Sequence, residues 1–197
     1  PVRRFISFYK HLRSNLAIPE SESFTEFMQR SMAFVDAEHI EDEYHQRGMR
    51  EGHYINYLPE WQQRYGNRFK LVFFEPLVES PFNSLSDICN WLGLDPEPYQ
   101  HRDFSAENQT THYSNRLLHG LAVHANRTLE PLLRRSHGFK KSIRSLYYKL
   151  NSGKLNEQVT DLQMRELEAH YASSNKALKQ WLQTQGTIRL PDWLENA

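Results

Sequence analysis

The segment Phe69-Lys70-Leu71-Val72-Phe73-Phe74-Glu75 constrains this chain most, because it is the one clear strand pattern in 197 residues. It is short, rich in β-branched and aromatic residues, and its apolar run is almost unbroken. A strand half open to water alternates apolar and polar side chains. A nearly continuous run belongs to a strand covered on both faces, as in a parallel sheet. Such a sheet needs helices above and below it, and the remaining sequence reads mostly as helix. The expectation is an α/β fold, a parallel sheet flanked by helices, of which this chain is a mostly helical part.

The helical signals are local and specific. Phe5, Phe8, Tyr9 and Leu12 recur at helical spacing and predict a helix over 1–15. Ser23-x-x-Glu26 is a capping box opening a short helix with Phe24, Phe27 and Met28 on one side. Residues 36–51 are too polar to assign. Tyr54, Leu58, Trp61 and Tyr65 mark an amphipathic helix over 52–65, stopped by Gly66-Asn67, with Tyr54 and Trp61 expected in the core. Ser80-Pro81 opens a helix carrying Leu85, Ile88, Cys89 and Leu92, ended by Gly93. Residues 94–113 read as loop, and Leu117 to Leu133 as a helix interrupted by Pro131. Thr160-x-x-Gln163 is a second capping box, opening a long helix lined by Leu167, Tyr171, Leu178 and Trp181.

Composition narrows the function classes. The length suits one domain over 1–197, and the formal net charge is zero, so no global field favours nucleic acid or a membrane surface. Charge is locally uneven. Six acids face Arg47 and Arg50 between Asp36 and Glu51, and eight Lys or Arg face only Glu130 between Arg116 and Lys149. The single Cys89, in an apolar helical run, excludes an internal disulfide and reads as a buried thiol. No apolar run approaches the ~20 residues that span a bilayer. With no leader visible, a cytoplasmic location is favoured, and the chain is expected to lack its true start. The sequons at Asn108 and Asn126 are of the number expected by chance.

The first residues carry the chemistry. Pro1 suits the opening turn of a helix, whose free N–H groups and positive dipole end attract anions. Arg3 and Arg4 lie in that turn, and Ser7 adds a hydroxyl about two turns in. This is a helix start fitted to a phosphate.

The same residues, Pro1-Val2-Arg3-Arg4-Phe5-Ile6-Ser7-Phe8-Tyr9, resemble the 3′-phosphate-binding segment of sulfotransferases, R-x-P-x-x-R-x-x-S-x-Y. Pro1, Arg4, Ser7 and Tyr9 fall on its P, R, S and Y. The leading arginine would lie two residues before Pro1, so the chain is expected to begin inside the motif. Further on, Gly52-x-Tyr54-x-x-x-Leu58-x-x-Trp61 leading into Phe69–Glu75 is similar to the family's G-x-Y-x-x-x-L-x-x-W helix and its strand ending E-D-L, with Pro76 in place of the Asp. Trp91-Leu92-Gly93-Leu94 resembles F-L-G-L, and Leu167-x-x-x-Tyr171-x-x-x-Asn175-x-x-Leu178 resembles a helix of bacterial-type members. The order is the family's, and the flavour is that of the bacterial or heparan-sulfate-like branch.

The resemblance implies a sulfotransferase fold, akin to that of P-loop-containing nucleoside triphosphate hydrolases, with this chain as its C-terminal portion. It implies transfer of a sulfuryl group from 3′-phosphoadenosine 5′-phosphosulfate to a hydroxyl or amine of a small-molecule or glycan acceptor, without a metal. The alternative is a non-catalytic module binding a nucleotide or an acidic glycan. Ser7 and Arg4 are the implied 3′-phosphate ligands, with Arg4 equally suited to bracing the segment through an ion pair. Arg116, the one permanent cation of the loop 108–116, is the third candidate. The family's lysine-bearing loop for the 5′-phosphosulfate and its catalytic base would lie upstream, so the fragment is expected to be inactive and the base is not assigned.

Other residues have plainer readings. Glu75 at the carboxyl end of the strand stands where α/β folds place functional groups, but a structural carboxylate is preferred. His39, Glu41, Asp42, Glu43 and His45 have metal-ligand chemistry without a matching spacing, and read as a solvated loop on the acceptor side. His53 reads as a surface residue.

Overall fold

The computed structural model describes residues 1–36, 43–104, 112–113, 118, 120–122, 124, 128, 152–153, 158–186 and 190–196. The first helix, α1 (Val2–Ser14), forms where the spacing predicts it and buries Phe5, Tyr9 and Leu12. After a turn comes α2 (Phe24–Phe34), whose N-cap Ser23 and N3 residue Glu26 complete the capping box. Ser23 Oγ accepts from the Glu26 N–H at 3.2 Å, and the Glu26 carboxylate accepts from the Ser23 N–H at 2.8 Å. Helix α3 (Glu43–Arg50) follows and packs on both α1 and α2.

These helices close on the long α7 (Asp161–Thr184), 24 residues or about 36 Å at 1.5 Å per residue. Its own capping box, Thr160 with Gln163, is present as read. Leu167 and Tyr171 of α7 join Phe5, Tyr9, Phe24, Phe27, Met28 and Met49 in a first core. The rings there meet edge-on or tilted, Tyr9 lying 5.2 Å from both Phe24 and Phe27, the offset arrangement that ring quadrupoles favour. One helical repeat further along, Leu178 and Leu182 join Leu194 of the short helix α8 (Asp192–Glu195) in a second core. Tyr54, Leu71, Phe73, Trp181 and Trp193 pack against it.

Between the two cores the chain departs from the sequence expectation. Residues 52–65 are not one helix. Tyr54–Asn56 form a single 3-10 turn, and α4 (Leu58–Tyr65) starts afresh with Pro59 in its opening turn. Proline has no N–H to give to a preceding turn, so it begins a helix where it could not continue one. Tyr54 is half-buried, but Trp61 is 52% exposed, its ring meeting Tyr57 and Phe69 rather than the core.

The strand over 69–75 also resolves differently. Phe69 and Phe73 are extended, but Phe74 opens the helix α5 (Phe74–Glu79), so Glu75 lies in a helical first turn. Pro76 fits there because first-turn N–H groups need no helical partner. Among the described residues the strand pairing is a short antiparallel bridge of β1 (His112–Tyr113) with β2 (Ser152–Gly153), and the expected parallel sheet is not formed. A strand needs partners along its edge, and the apolar run alone does not supply them. The alternation instead sends Leu71 and Phe73 to the second core and leaves Val72 exposed.

Helix α6 (Pro81–Leu92) follows, packing on α5. It ends at Gly93, whose φ of 71° is the left-handed conformation glycine adopts without steric cost. Cys89 is buried within it as a free thiol. Phe74, Leu77 and Val78 of α5 stay exposed, as do Leu92 at the end of α6 and Leu94 beyond it, Phe74 by 70%. Residues 94–104 are irregular apart from a 3-10 turn at Glu97–Tyr99. Of the helix expected over 117–133, the described positions Leu118, Gly120, Leu121, Ala122, His124 and Thr128 have helical backbones.

Candidate functional site at the start of the first helix

The N-terminus of α1 has the features that bind anions. Pro1 is its N-cap, no side chain caps it, and its first turn holds no acid. The Phe5 N–H bonds to the Pro1 carbonyl at 2.9 Å, so helical hydrogen bonding begins at Phe5 and the N–H groups before it have no helical acceptor. Arg3 and Ser7 are exposed on the helix, and Tyr9 is buried on its opposite face, where its hydroxyl donates to the Glu22 carbonyl at 3.1 Å. The motif therefore divides by face. Phe5, Tyr9 and Leu12 fix the helix in the core, while Arg3 and Ser7 remain accessible.

Arg4 joins the two. Its guanidinium donates to the Gly48 carbonyl at 2.9 Å, pairs with the Glu51 carboxylate, and lies over the Phe8 ring at 5.8 Å. Glu51 also accepts from Arg47 at 3.0 Å. The Glu51 carbonyl in turn accepts from the Tyr57 hydroxyl at 2.9 Å. Burial, with Tyr54 second, pushes that hydroxyl up to about 12, so it stays a neutral donor. Arg4 thus makes a bracing ion pair that ties the opening turn of α1 to the end of α3. Arg116 lies outside the described residues.

The acidic segment resolves into more than a solvated loop. His39, Glu41 and Asp42 lie outside the described residues, and Glu43 begins α3. His45, by contrast, is buried, with its Nε2 2.6 Å from Glu22 Oε1. Arg30 reaches the same oxygen at 3.2 Å. His45 thus belongs to a buried polar contact between α3 and the turn before α2. Among the described residues, no three His, Cys, Asp or Glu side chains converge to hold a metal ion.

His53 is likewise not a surface residue. It is half-buried, with Nδ1 2.5 Å from Ser174 Oγ and Nε2 3.1 Å from His170 Nε2. Burial, then the neighbouring His170, holds its pKa below the ordinary 6.5 against a pull from Asp36. His170 is held low by burial as well. Sequence reasoning missed His170 and Ser174. Their one signal was a four-residue spacing on a face of the long helix, which any amphipathic helix can contain.

A helix start that no side chain caps, with Arg3 and Ser7 exposed on it, has the geometry and charge that suit an anion. A family model described as sulfotransferase domain matches residues 1–181, and the chain belongs to that family. Its chemistry is in general that of sulfuryl transfer. No curated protein and no solved structure matches the chain. No helix among the described residues is long and apolar enough to cross a membrane.

Proposed function

We propose that this chain carries the 3′-phosphate half of a donor site for 3′-phosphoadenosine 5′-phosphosulfate in an enzyme that passes the sulfuryl group to a hydroxyl or amine. The observation that carries the reading is the start of α1, which no side chain caps and whose own first turn holds no acid, with Arg3 and Ser7 exposed on it while Glu51 pairs with Arg4 and Glu75 acts on the Pro1 amine. A phosphate there meets free N–H groups, the positive end of the helix dipole and a hydroxyl donor. Arg4 positions this turn through Gly48 and Glu51. Arg116 is a further candidate ligand of that phosphate on the family resemblance alone.

Sulfuryl transfer proceeds in line, with the acceptor oxygen or nitrogen opposite the leaving phosphate oxygen. The sulfur–oxygen bond to that phosphate breaks as the bond to the acceptor forms, and the acceptor's proton leaves to a base. Catalysis is then mostly positioning and stabilisation of charge on the leaving phosphate. The 3′-phosphate site contributes the positioning and lies across the ribose from the reacting bond. The 197-residue chain therefore binds the nucleotide weakly and transfers nothing by itself.

A radiolabelled-donor assay over a panel of small-molecule and glycan acceptors tests this, with the full-length protein beside the 197-residue chain. Transfer by the full-length protein and background from the chain alone is the expected pair. Loss of one leaving-group donor typically costs about 10²–10³ in rate. Transfer by the chain alone at the full-length rate contradicts the reading. Nucleotide binding by the full-length protein with no transfer to any acceptor marks a non-catalytic module instead.

A further inference from the structure

The contact between His53 and His170 has a geometry that the donor reading does not use. His53 stands in the turn after α3, and His170 and Ser174 stand one turn apart on α7. The two Nε2 atoms are 3.1 Å apart while the ring centroids are 5.0 Å apart at 71°. The two Nε2 atoms thus face one another across a gap short enough for a hydrogen bond or for a shared ion. Two imidazole nitrogens bound to one ion at about 2.0–2.1 Å stand roughly 2.9–3.4 Å apart for angles between square and tetrahedral. The observed spacing falls inside that range without any movement.

Three further observations fit ligation. His53 Nδ1 faces Ser174 Oγ at 2.5 Å, and a proton on Nδ1 donated to that hydroxyl leaves the Nε2 lone pair free. Ligating histidines are oriented in this way by an outer partner on the second nitrogen. Tyr171 packs against both rings, at 4.9 Å from His53 and 5.1 Å from His170, and so holds their planes. The Asp36 carboxylate acts favourably on a positive charge at either ring.

We propose that His53 and His170 form a bidentate site, through their two Nε2 atoms, for a divalent late transition-metal ion, with Ser174 as the positioning residue. Without an ion, His170 Nε2–H donates to His53 Nε2. On binding, His170 carries its proton on Nδ1 instead, so the exchange of tautomer releases no net proton. The ion clamps α7 to the turn that follows α3.

The test is a titration of the full chain with zinc(II), followed through the histidine side-chain nitrogens by long-range proton–nitrogen NMR. The expected result is a saturable one-to-one change at Nε2 of both His53 and His170 and of neither Nδ1 alone. His170→Gln is expected to abolish the response of His53. Ser174→Ala is expected to weaken binding about 10–100-fold, as loss of an outer-shell partner does elsewhere. Unchanged His53 and His170 nitrogens at saturating zinc, or zinc bound only at other histidines, overturns the proposal. So does full affinity in a folded His170→Gln variant. If that variant fails to fold, the nitrogen shifts of the unmodified chain decide the question alone.

Discussion

The ring of Tyr171 lies so close against Gly52 that a Cβ built there would stand 2.6 Å from the Tyr171 hydroxyl and 2.7 Å from its ring carbons. Tyr171 is fully buried, and its hydroxyl donates to the Met49 carbonyl at 3.1 Å. Burial raises its pKa further than any neighbouring charge, so the hydroxyl remains a neutral donor. Two residues 119 positions apart in sequence thus make one packing unit, in which the glycine is required by the tyrosine rather than by its own backbone. Gly52→Ala is expected to lower unfolding free energy by about 1–3 kcal/mol through overpacking. Tyr171→Phe is expected to cost only about 0.5–1.5 kcal/mol, because the Met49 carbonyl keeps its bond from the Gly52 N–H. Urea melts of the two variants check the order, and equal midpoints would contradict it.

The buried pair of His45 and Glu22 gives a second expectation. Glu22 is 6% exposed and His45 3%, so removing either partner leaves a polar or charged group where water does not reach. His45→Ala is expected to destabilise the chain by about 1–3 kcal/mol, the cost of taking one hydrogen-bond partner from a buried acceptor that Arg30 still holds. The exposed pair of Arg47 with Glu51 should cost under about 1 kcal/mol when Arg47 is removed. Thermal or urea unfolding of His45→Ala beside Arg47→Ala measures the contrast.

Acid should weaken the junction of His53 with His170. Both hold pKa values below the ordinary 6.5, so below that pH the unfolded chain binds protons that the folded chain refuses. Stability therefore falls as pH drops through 6.5, and the loss ends once the folded pKa values are passed. Unfolding free energies measured above and below that pH should fall further in the unmodified chain than in His170→Gln. An equal fall in both would place the pH dependence elsewhere.

The exposed apolar side chains of α5 and α6 predict association. Phe74, Val78, Leu92 and Leu94 are each more than half exposed, a condition soluble monomers seldom sustain over neighbouring elements. The 197-residue chain should self-associate at micromolar concentration in light scattering, and Phe74→Ser with Val78→Ser should reduce this without changing the helix content. A monodisperse monomer would show that this surface is tolerated in water.

Much of the helical framework was legible because its signals are local. The capping boxes of Ser23 with Glu26 and of Thr160 with Gln163 need only residues three apart, and both formed. Gly93 ends α6 for an equally local reason, its positive φ. Helix α3 was not legible, because the face it buries carries His45 and Gln46 beside Met49, polar residues that burial tolerates only through partners distant in sequence. The segment 69–75 misled in the opposite sense. Its composition suits a buried strand, but a strand is completed by its neighbours, and the described chain brings none to its edge. At the site, the α1 start could be read from Pro1, Arg4 and Ser7, whereas the grip of Arg4 on Gly48 and Glu51 spans more than forty residues and left no pattern.

The central claim is that the start of α1 binds the 3′-phosphate of the donor, with Ser7 as its hydroxyl ligand. Calorimetry of the full-length protein with adenosine 3′,5′-bisphosphate, set beside adenosine 5′-monophosphate, tests it most directly. The bisphosphate should bind the more tightly, and Ser7→Ala should weaken it by about 1.5–3 kcal/mol, the worth of a hydrogen bond to a charged group, while leaving the monophosphate unaffected. Equal affinity for the two nucleotides, or a bisphosphate affinity that Ser7→Ala does not change, would contradict the account.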